Sequence, residues 1–312
     1  MNLKPELMRC LSFRLFIIML AVTTTMTITS CGGDDDQPGS SSAPDGNRNR
    51  NNTDSEPALA RLEFPKVKGG ADNLVIIHTT NDQYGINYSV EWDIAKKAQR
   101  WSCYQMSAAT IKKATSRYYD KNNQYPMDPS LPSAYYTNGD LYWGSGFSHG
   151  HICPSADRLY SAEANKQTFY LTNMQPQYSM FNGGKNYDSP WIRLEDQVRS
   201  WAGNPTFDTL YVVKGGTIDD DQILTKIQGQ LRVPKYFFVA LLGKTQTGYR
   251  AVGFWIEHDD KDHGADPLGS YAMNIAELEA RSGIDFFCNL PDDTEQHVEN
   301  LPIDNVRRAW GL

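Results

Sequence analysis

The sequence predicts an α+β domain with a mostly antiparallel central sheet flanked by helices. Six segments between positions 73 and 256 have the alternation and the β-branched or aromatic content of strands, and few helical segments separate them. A hydrophobic content of 40% and an aromatic content of 12% are ample for a packed core. Because composition does not change after residue 61, we expect one domain over residues 61–312.

The first predicted strand covers residues 73–78. Residues 88–93 and 101–106 alternate in the manner of two paired strands. Three further strands are predicted at residues 210–213, 236–242 and 249–256.

The clearest helix is predicted to begin near Ser189. Ser189 can cap it, Pro190 suits the first helical position, and a buried stripe follows at helical spacing: Trp191, Leu194, Val198 and Trp201. Glu195 lies at the edge of this stripe, where a carboxylate needs a partner or a metal. Spacing alone leaves an alternative open, in which Glu195 is exposed and pairs with Arg199.

The N-terminus has the features of a targeting segment. Three basic residues precede an apolar run at 15–22 that is shorter than the ~20 residues of a spanning helix, so residues 1–30 are predicted to be a signal peptide. The run ends in Ile28-Thr29-Ser30-Cys31, which resembles a bacterial lipobox. That resemblance implies lipidation of Cys31 and an exported, membrane-anchored lipoprotein, periplasmic or surface-facing. An ordinary secretion signal with an incidental cysteine is the alternative.

Residues 31–60 are rich in Gly, Asp, Ser, Asn and Pro and are predicted to form a flexible tether. For Cys103, Cys153 and Cys288 the sequence leaves open one disulfide plus a buried thiol, or three free thiols. A net charge of −7 argues against a uniformly basic nucleic-acid coat, although a local basic groove stays compatible with it.

A set of side chains suited to hydrolysis follows in the middle of the chain. His151 comes directly after Gly150, which lets a backbone or a ligand approach closely. Histidine can take a proton from water near neutral pH. Amide and carboxylate oxygens, such as those of Asn182 and Glu195, suit a hard cation such as Mg²⁺.

The order of these residues resembles the DNA/RNA non-specific endonuclease family, whose active site is a ββα-metal (His-Me) finger. The resemblance runs from about Asn87 to about Pro302 and rests on four segments: Gly146-Phe147-Ser148-His149-Gly150-His151, Asn173-Met174-Gln175-Pro176-Gln177, Phe181-Asn182-Gly183-Gly184 and Trp191-Ile192-Arg193-Leu194-Glu195. It implies a hydrolase that cleaves DNA and RNA with little sugar or sequence preference and leaves 5′-phosphates.

The resemblance also implies a role for each matching residue. His151 matches the general base, and Asn182 matches the protein ligand of Mg²⁺, with Mn²⁺ or another divalent cation as the alternative metal. Glu195 matches the acidic residue that holds the metal-bound waters. The remaining matches are an asparagine that organises the site and two arginines that face the phosphate: Asn173, Arg199 and Arg117.

The chain departs from the family at two positions. Ser148 replaces the usual aspartate, and His149 replaces an arginine that donates to phosphate, with Arg158 nearby as a partial substitute. Because histidine carries charge only when protonated, we expect lower activity or a preference for mildly acidic conditions.

Two other functions stay open from the sequence. His149, His151 and Cys153 alternate and would share one face of a strand, as a zinc site requires. The other alternative is a catalytically weak or inactive lipoprotein that keeps the fold and only binds nucleic acid.

Overall fold

The computed structural model describes residues 46–312, in which strands and α-helices are the main elements and short 3₁₀ helices connect some of them. Its strands are β1 (Asn73–Thr79), β2 (Ile86–Asp93), β3 (Ala98–Met106), β4 (Ser148–His151), β5 (Met174–Gln177), β6 (Thr209–Gly216), β7 (Ile223–Ile227), β8 (Leu231–Pro234), β9 (Tyr236–Thr245), β10 (Gly248–Glu257) and β11 (Ala272–Met273). Its α-helices are α1 (Ala162–Gln167), α2 (Ser179–Asn182), α3 (Pro190–Ala202), α4 (Ile275–Ser282), α5 (Asp292–Glu299) and α6 (Ile303–Trp310).

Seven strands form the central sheet in the order β1-β2-β3-β6-β9-β10-β11, and every neighbouring pair is antiparallel. The α+β class with an antiparallel sheet is therefore confirmed. All six strands predicted from the sequence belong to this sheet. Two small pairs lie outside it, β4 with β5 and β7 with β8.

Both faces of the central sheet are buried. On β9 successive side chains alternate between two cores, because neighbouring residues of a strand point to opposite faces. Val239 and Leu241 pack with α3 and α6, whereas Phe238, Ala240 and Leu242 pack with α4 and α5. This explains the nearly continuous apolar run of β9 in an antiparallel sheet.

Helix α3 begins where the sequence predicted. The Oγ of Ser189 accepts a hydrogen bond from the backbone N–H of Ile192 at 3.2 Å, and Pro190 is the first helical residue. All four members of the predicted stripe are buried: Trp191, Leu194, Val198 and Trp201. The helix therefore lies with a fixed face against the sheet, and this face sets the direction of Glu195.

Residues 46–60 pack against the domain. The Nδ2 of Asn47 donates to the carbonyl of Cys288 at 2.8 Å, and that of Asn51 donates to the carbonyl of Pro65 at 3.0 Å. The prediction of a flexible tether over 31–60 is therefore wrong for 46–60, because asparagine side chains there pair with backbone groups of the domain. The signal peptide, the earlier tether residues and Cys31 lie outside the described residues.

Within residues 46–312, no helix is long and apolar enough to cross a bilayer. Cys103, Cys153 and Cys288 are all buried and free. Of the two cysteine arrangements left open by the sequence, the structure has the one with three free thiols.

Candidate active site

Strands β4 and β5 form a short antiparallel pair that carries the two histidines. Gly150 lies opposite Gln175, and His151 lies opposite Met174. A Cβ placed on Gly150 would lie 2.2 Å from the side chain of Gln177, so only glycine fits there. The prediction of a close approach at Gly150 is confirmed. Gln175 ties the pair to the central sheet, since its Oε1 accepts from the backbone N–H of Gly216.

Asn173, the residue just before β5, continues the contact between the two strands through its side chain. Its Oδ1 accepts from the backbone N–H of Cys153 at 2.8 Å, and its Nδ2 donates to the carbonyl of the same residue at 2.9 Å. A further bond joins Nδ2 to the carbonyl of Thr168. Asn173 is fully buried. Asn173 therefore fixes the backbone that follows His151, and its predicted role in organising the active site stays a prediction.

The imidazole of His151 has one free nitrogen. It is hydrogen-bonded to the backbone of His149, and its Nε2 is buried without a hydrogen-bond partner. Phe169 packs edge-on against the ring at 4.8 Å. Burial, together with the positive charges of Arg117 and Lys214, lowers the pKa of His151 to about 3. The side chain is therefore neutral at physiological pH, and Nε2 can accept a proton.

Arg117 reaches the same place from a distant loop. The residue is exposed, and its guanidinium carbon lies 4.8 Å from the ring centroid of Phe169, which also packs edge-on against His151. Its charge also acts on Glu195. The structure thus brings Arg117 beside the predicted base, where an anionic substrate would meet a cation.

Asn182 ends α2, a single turn held in place by a buried histidine. The Nε2 of His258 accepts from the backbone N–H of Tyr178 at 2.8 Å, and its Nδ1 bonds the carbonyl of Pro234 at 2.7 Å. Burial lowers the pKa of His258 to about 4, which keeps it in the neutral form that accepts this bond. Tyr178 precedes α2, so His258 fixes the start of the turn that carries Asn182.

Glu195 projects from α3 toward β6. Its side chain is 14% exposed, and its Oε1 lies 2.7 Å from the Nζ of Lys214. Lys214 is 3% exposed and lies 4.1 Å from the ring centroid of Trp191. Burial raises the pKa of Glu195, and Lys214 opposes this rise. The alternative of an exposed Glu195 paired with Arg199 is therefore wrong.

Arg199 lies one turn after Glu195 and makes two ion pairs. Its Nη1 contacts the Oδ1 of Asp157 at 2.7 Å, and its Nη2 contacts Asp196. Its charge also acts on Glu195. The predicted contact of Arg199 with phosphate stays a prediction, since two carboxylates already bind this guanidinium.

His149 is enclosed, although it was predicted to replace a phosphate-facing arginine. Its side chain is 7% exposed, and its ring stacks between Tyr125 at 3.7 Å and Tyr142 at 4.2 Å. Its Nε2 lies 2.9 Å from the Oδ2 of Asp140. The side chain therefore braces the strand before His151 and does not face a substrate. Arg158 does not replace it either, because its guanidinium is buried over Tyr104.

The histidines do not form a zinc site. Among residues 46–312, no group of three or more His, Cys, Asp or Glu side chains is arranged to hold a metal ion. The alternative based on His149, His151 and Cys153 is thus not supported. The roles of Asn182 and Glu195 as donors to a divalent cation stay predictions.

Two charged residues of the site were missed from the sequence. Lys214 follows Leu210 and Val212 at alternate positions of β6, on the face covered by α3. A lysine on a buried strand face needs a partner, and that pattern was the available signal. Asp157, which binds Arg199, gave no comparable signal because it lies in a 3₁₀ helix of only four residues, Ser155–Arg158.

Comparison with known proteins agrees with this geometry. A family model described as DNA/RNA non-specific endonuclease matches residues 74–293. The mitochondrial nuclease EXOG of Mus musculus is 27% identical over 227 residues, which cover 69% of this chain and 58% of that protein. A nuclease of Nostoc sp. is 26% identical over 228 residues, covering 70% and 77%. Nuclease C1 of Cunninghamella echinulata is 28% identical over 217 residues, covering 67% and 83%.

Among solved structures, a chain of the EndoG/EndoGI complex superposes with a TM-score of 0.58 at 20% identity, covering 73% of this chain and 92% of that one. This likeness concerns the fold. Since the family model matches more than two thirds of the sequence, the chain belongs to the DNA/RNA non-specific endonuclease family and is a nuclease.

Proposed function

We propose that the protein is a Mg²⁺-dependent endonuclease that hydrolyses phosphodiester bonds of DNA and RNA and leaves 5′-phosphates. The observation that carries this proposal is the neutral His151 whose buried Nε2 has no hydrogen-bond partner. Near His151 lies the cation Arg117, which an anionic substrate would meet. The buried Lys214 also acts on His151 and holds the carboxylate of Glu195.

In this mechanism His151 takes the proton of the attacking water at Nε2. The hydrogen bond to the backbone of His149 uses the other nitrogen, so the imidazole donates from Nδ1 and presents a lone pair at Nε2. Removal of a proton by a positioned general base typically accelerates a reaction by about 10²–10⁴-fold.

The oxygen donors of Asn182 and Glu195 would hold the metal. When bound, Mg²⁺ would neutralise the negative charge of the phosphate and orient the attacking water. Lys214 keeps the Glu195 carboxylate in place through their 2.7 Å contact. Arg117 would contact the phosphate beside His151, and Arg199 on α3 would add a second positive charge near Glu195.

The test is plasmid nicking by the purified domain with Mg²⁺ or EDTA, comparing wild type with His151→Ala. We expect cleavage only with the divalent cation, and a loss of about 10²–10⁴ in rate for His151→Ala with unchanged thermal unfolding and DNA binding. His297→Ala, which truncates an exposed histidine on α5, is the matched control and should cleave normally. Cleavage at the wild-type rate by His151→Ala would refute the assignment of the base.

We further propose that the nuclease is an exported lipoprotein attached to a membrane through acylated Cys31. The support is the signal-like segment 1–30 and the lipobox-like residues before Cys31. Cys31→Ala should move the full-length protein from the membrane fraction to the soluble fraction, whereas Cys103→Ala should leave it with the membrane. A Cys31→Ala protein that stays in the membrane fraction would contradict lipid anchoring at this residue.

A further inference from the structure

Trp143 differs from the other six tryptophans of the chain. All seven lie within residues 46–312, and six of them are buried or half-buried, whereas Trp143 is 71% exposed. An indole is the side chain whose burial stabilises a fold most, so an exposed one gives up that stabilisation. Its position beside the active site therefore calls for a functional explanation.

The exposed indole is held in one orientation. Asp140 accepts hydrogen bonds from the backbone N–H of Tyr142 at 3.0 Å, from His149 at 2.9 Å and from the side chain of Trp143. The indole also packs edge-on against His149, with ring centroids 5.3 Å apart at 61°. The turn that follows is closed by Ser145, which donates to the carbonyl of Tyr142 from both its N–H and its Oγ. The loop is thus rigid, and little ordering would be needed for a ligand to bind.

A continuous row of rings connects Trp143 with the base. His149 stacks on Tyr125 at 3.7 Å, and Tyr125 lies 6.3 Å from His151. Arg117, the exposed cation of the site, acts on both Tyr125 and Glu195. Trp143 therefore extends the wall on which a strand would lie while its phosphate meets His151.

We propose that Trp143 stacks on an unpaired nucleobase of the substrate and gives this nuclease a preference for single-stranded over duplex nucleic acid. This inference rests on the proposed function. Both faces of a paired base are covered by its neighbours, whereas an unpaired base can turn one face to an aromatic side chain. Stacking is tolerant of base identity, which suits an enzyme without sequence preference.

The kinetic test compares kcat/KM on single-stranded and duplex oligonucleotides of the same sequence. Trp143→Ala should lower the ratio of single-stranded to duplex activity about tenfold, and Trp143→Phe should retain most of that ratio. Leu224→Ala, which truncates an exposed apolar side chain on β7, is the control and should leave the ratio unchanged. Equal losses on both substrates, or no loss, would overturn the proposal.

A binding test separates this inference from the proposed chemistry. In EDTA, a single-stranded oligonucleotide should quench the fluorescence of the exposed indole, and the same oligonucleotide lacking bases should not. Quenching without any Mg²⁺-dependent cleavage would refute the proposed nuclease mechanism while upholding base stacking. Equal quenching by both oligonucleotides would overturn stacking even if cleavage is normal.

Discussion

Gly150 lies between two histidines, and its missing side chain makes room for Gln177. Gln177 is fully buried, and a Cβ on Gly150 would come within 2.2–2.5 Å of three of its side-chain atoms. Because real Cβ contacts are essentially never so short, a larger residue at position 150 must displace either the side chain of Gln177 or strand β4 itself. The position of His151 therefore depends directly on this glycine.

Gly150→Ala should both destabilise the protein and slow cleavage. Overpacking of this kind costs about 1–3 kcal/mol, which should lower the urea midpoint. Displacement of His151 should lower the nicking rate about tenfold or more. Gly269→Ala is the control, since its Cβ would make only ordinary contacts with Leu312 at 3.5–3.6 Å, and it should change neither quantity. Unchanged stability of Gly150→Ala would show that Gln177 relocates freely.

Single residues differ in how well the sequence predicted them. His151 and Glu195 were indicated by the order of residues that resembles the family, because the position of Glu195 beside an apolar stripe left its exposure open. The environment of His149 could not, because its partners Tyr125, Tyr142 and Asp140 come from separate loops. Only the tertiary fold shows that its ring is enclosed and unavailable to phosphate.

At the scale of elements, helix α3 depends on its first residue. Ser189 is buried, and its Oγ satisfies the N–H of Ile192, one of the four donors that a helix start leaves free. The helix carries both Glu195 and Arg199, so fraying of its first turn would loosen the site.

Ser189→Ala should lower the free energy of unfolding by about 1 kcal/mol through loss of the cap. Ser200→Ala, at an exposed position inside the same helix, should be neutral or slightly stabilising, because alanine favours helix. Urea denaturation of both variants measures the difference. If the two variants unfold at the same urea concentration, the cap does not stabilise α3.

The sequence predicted those elements whose apolar residues form the hydrophobic core. The six predicted strands contain apolar residues that pack in the two cores on either side of the sheet. By contrast, the pattern of residues did not predict β4 and β5, whose four residues each include Gly150 and Pro176 and lack apolar alternation. Their pairing depends on the side chains of Asn173 and Gln175, which form hydrogen bonds with backbone groups that are distant in the sequence. Only the family resemblance indicated the ββα arrangement.

At the scale of the whole molecule, the negative charge is unevenly placed. Six acidic residues of the C-terminal region line one cavity of about 460 Å³ at α4 and α5: Glu279, Asp285, Asp292, Asp293, Glu295 and Glu299. Glu299 is 7% exposed, and its Oε1 has no hydrogen-bond partner. Burial and mutual repulsion raise the pKa of Glu279 to about 8, of Glu295 to about 7 and of Glu299 to about 9. These carboxyls hold protons in the folded state that they lose when the chain unfolds.

The contribution of these carboxyl groups to the stability of the folded protein should therefore decrease as pH rises. Between the ordinary glutamate value of 4.5 and a folded value of about 9 for Glu299, the native state binds more protons than the unfolded state, so the free energy of unfolding decreases with pH. Glu299→Gln removes one such group, because a glutamine stays neutral at every pH. We expect Glu299→Gln to unfold at a higher temperature than wild type at pH 9 and at nearly the same temperature at pH 5. Glu277→Gln, at an exposed position of α4 paired with Arg281, should lack this pH dependence. Parallel melting curves for wild type and Glu299→Gln from pH 5 to 9 would show that Glu299 ionises normally and that the cavity imposes no cost on its charge.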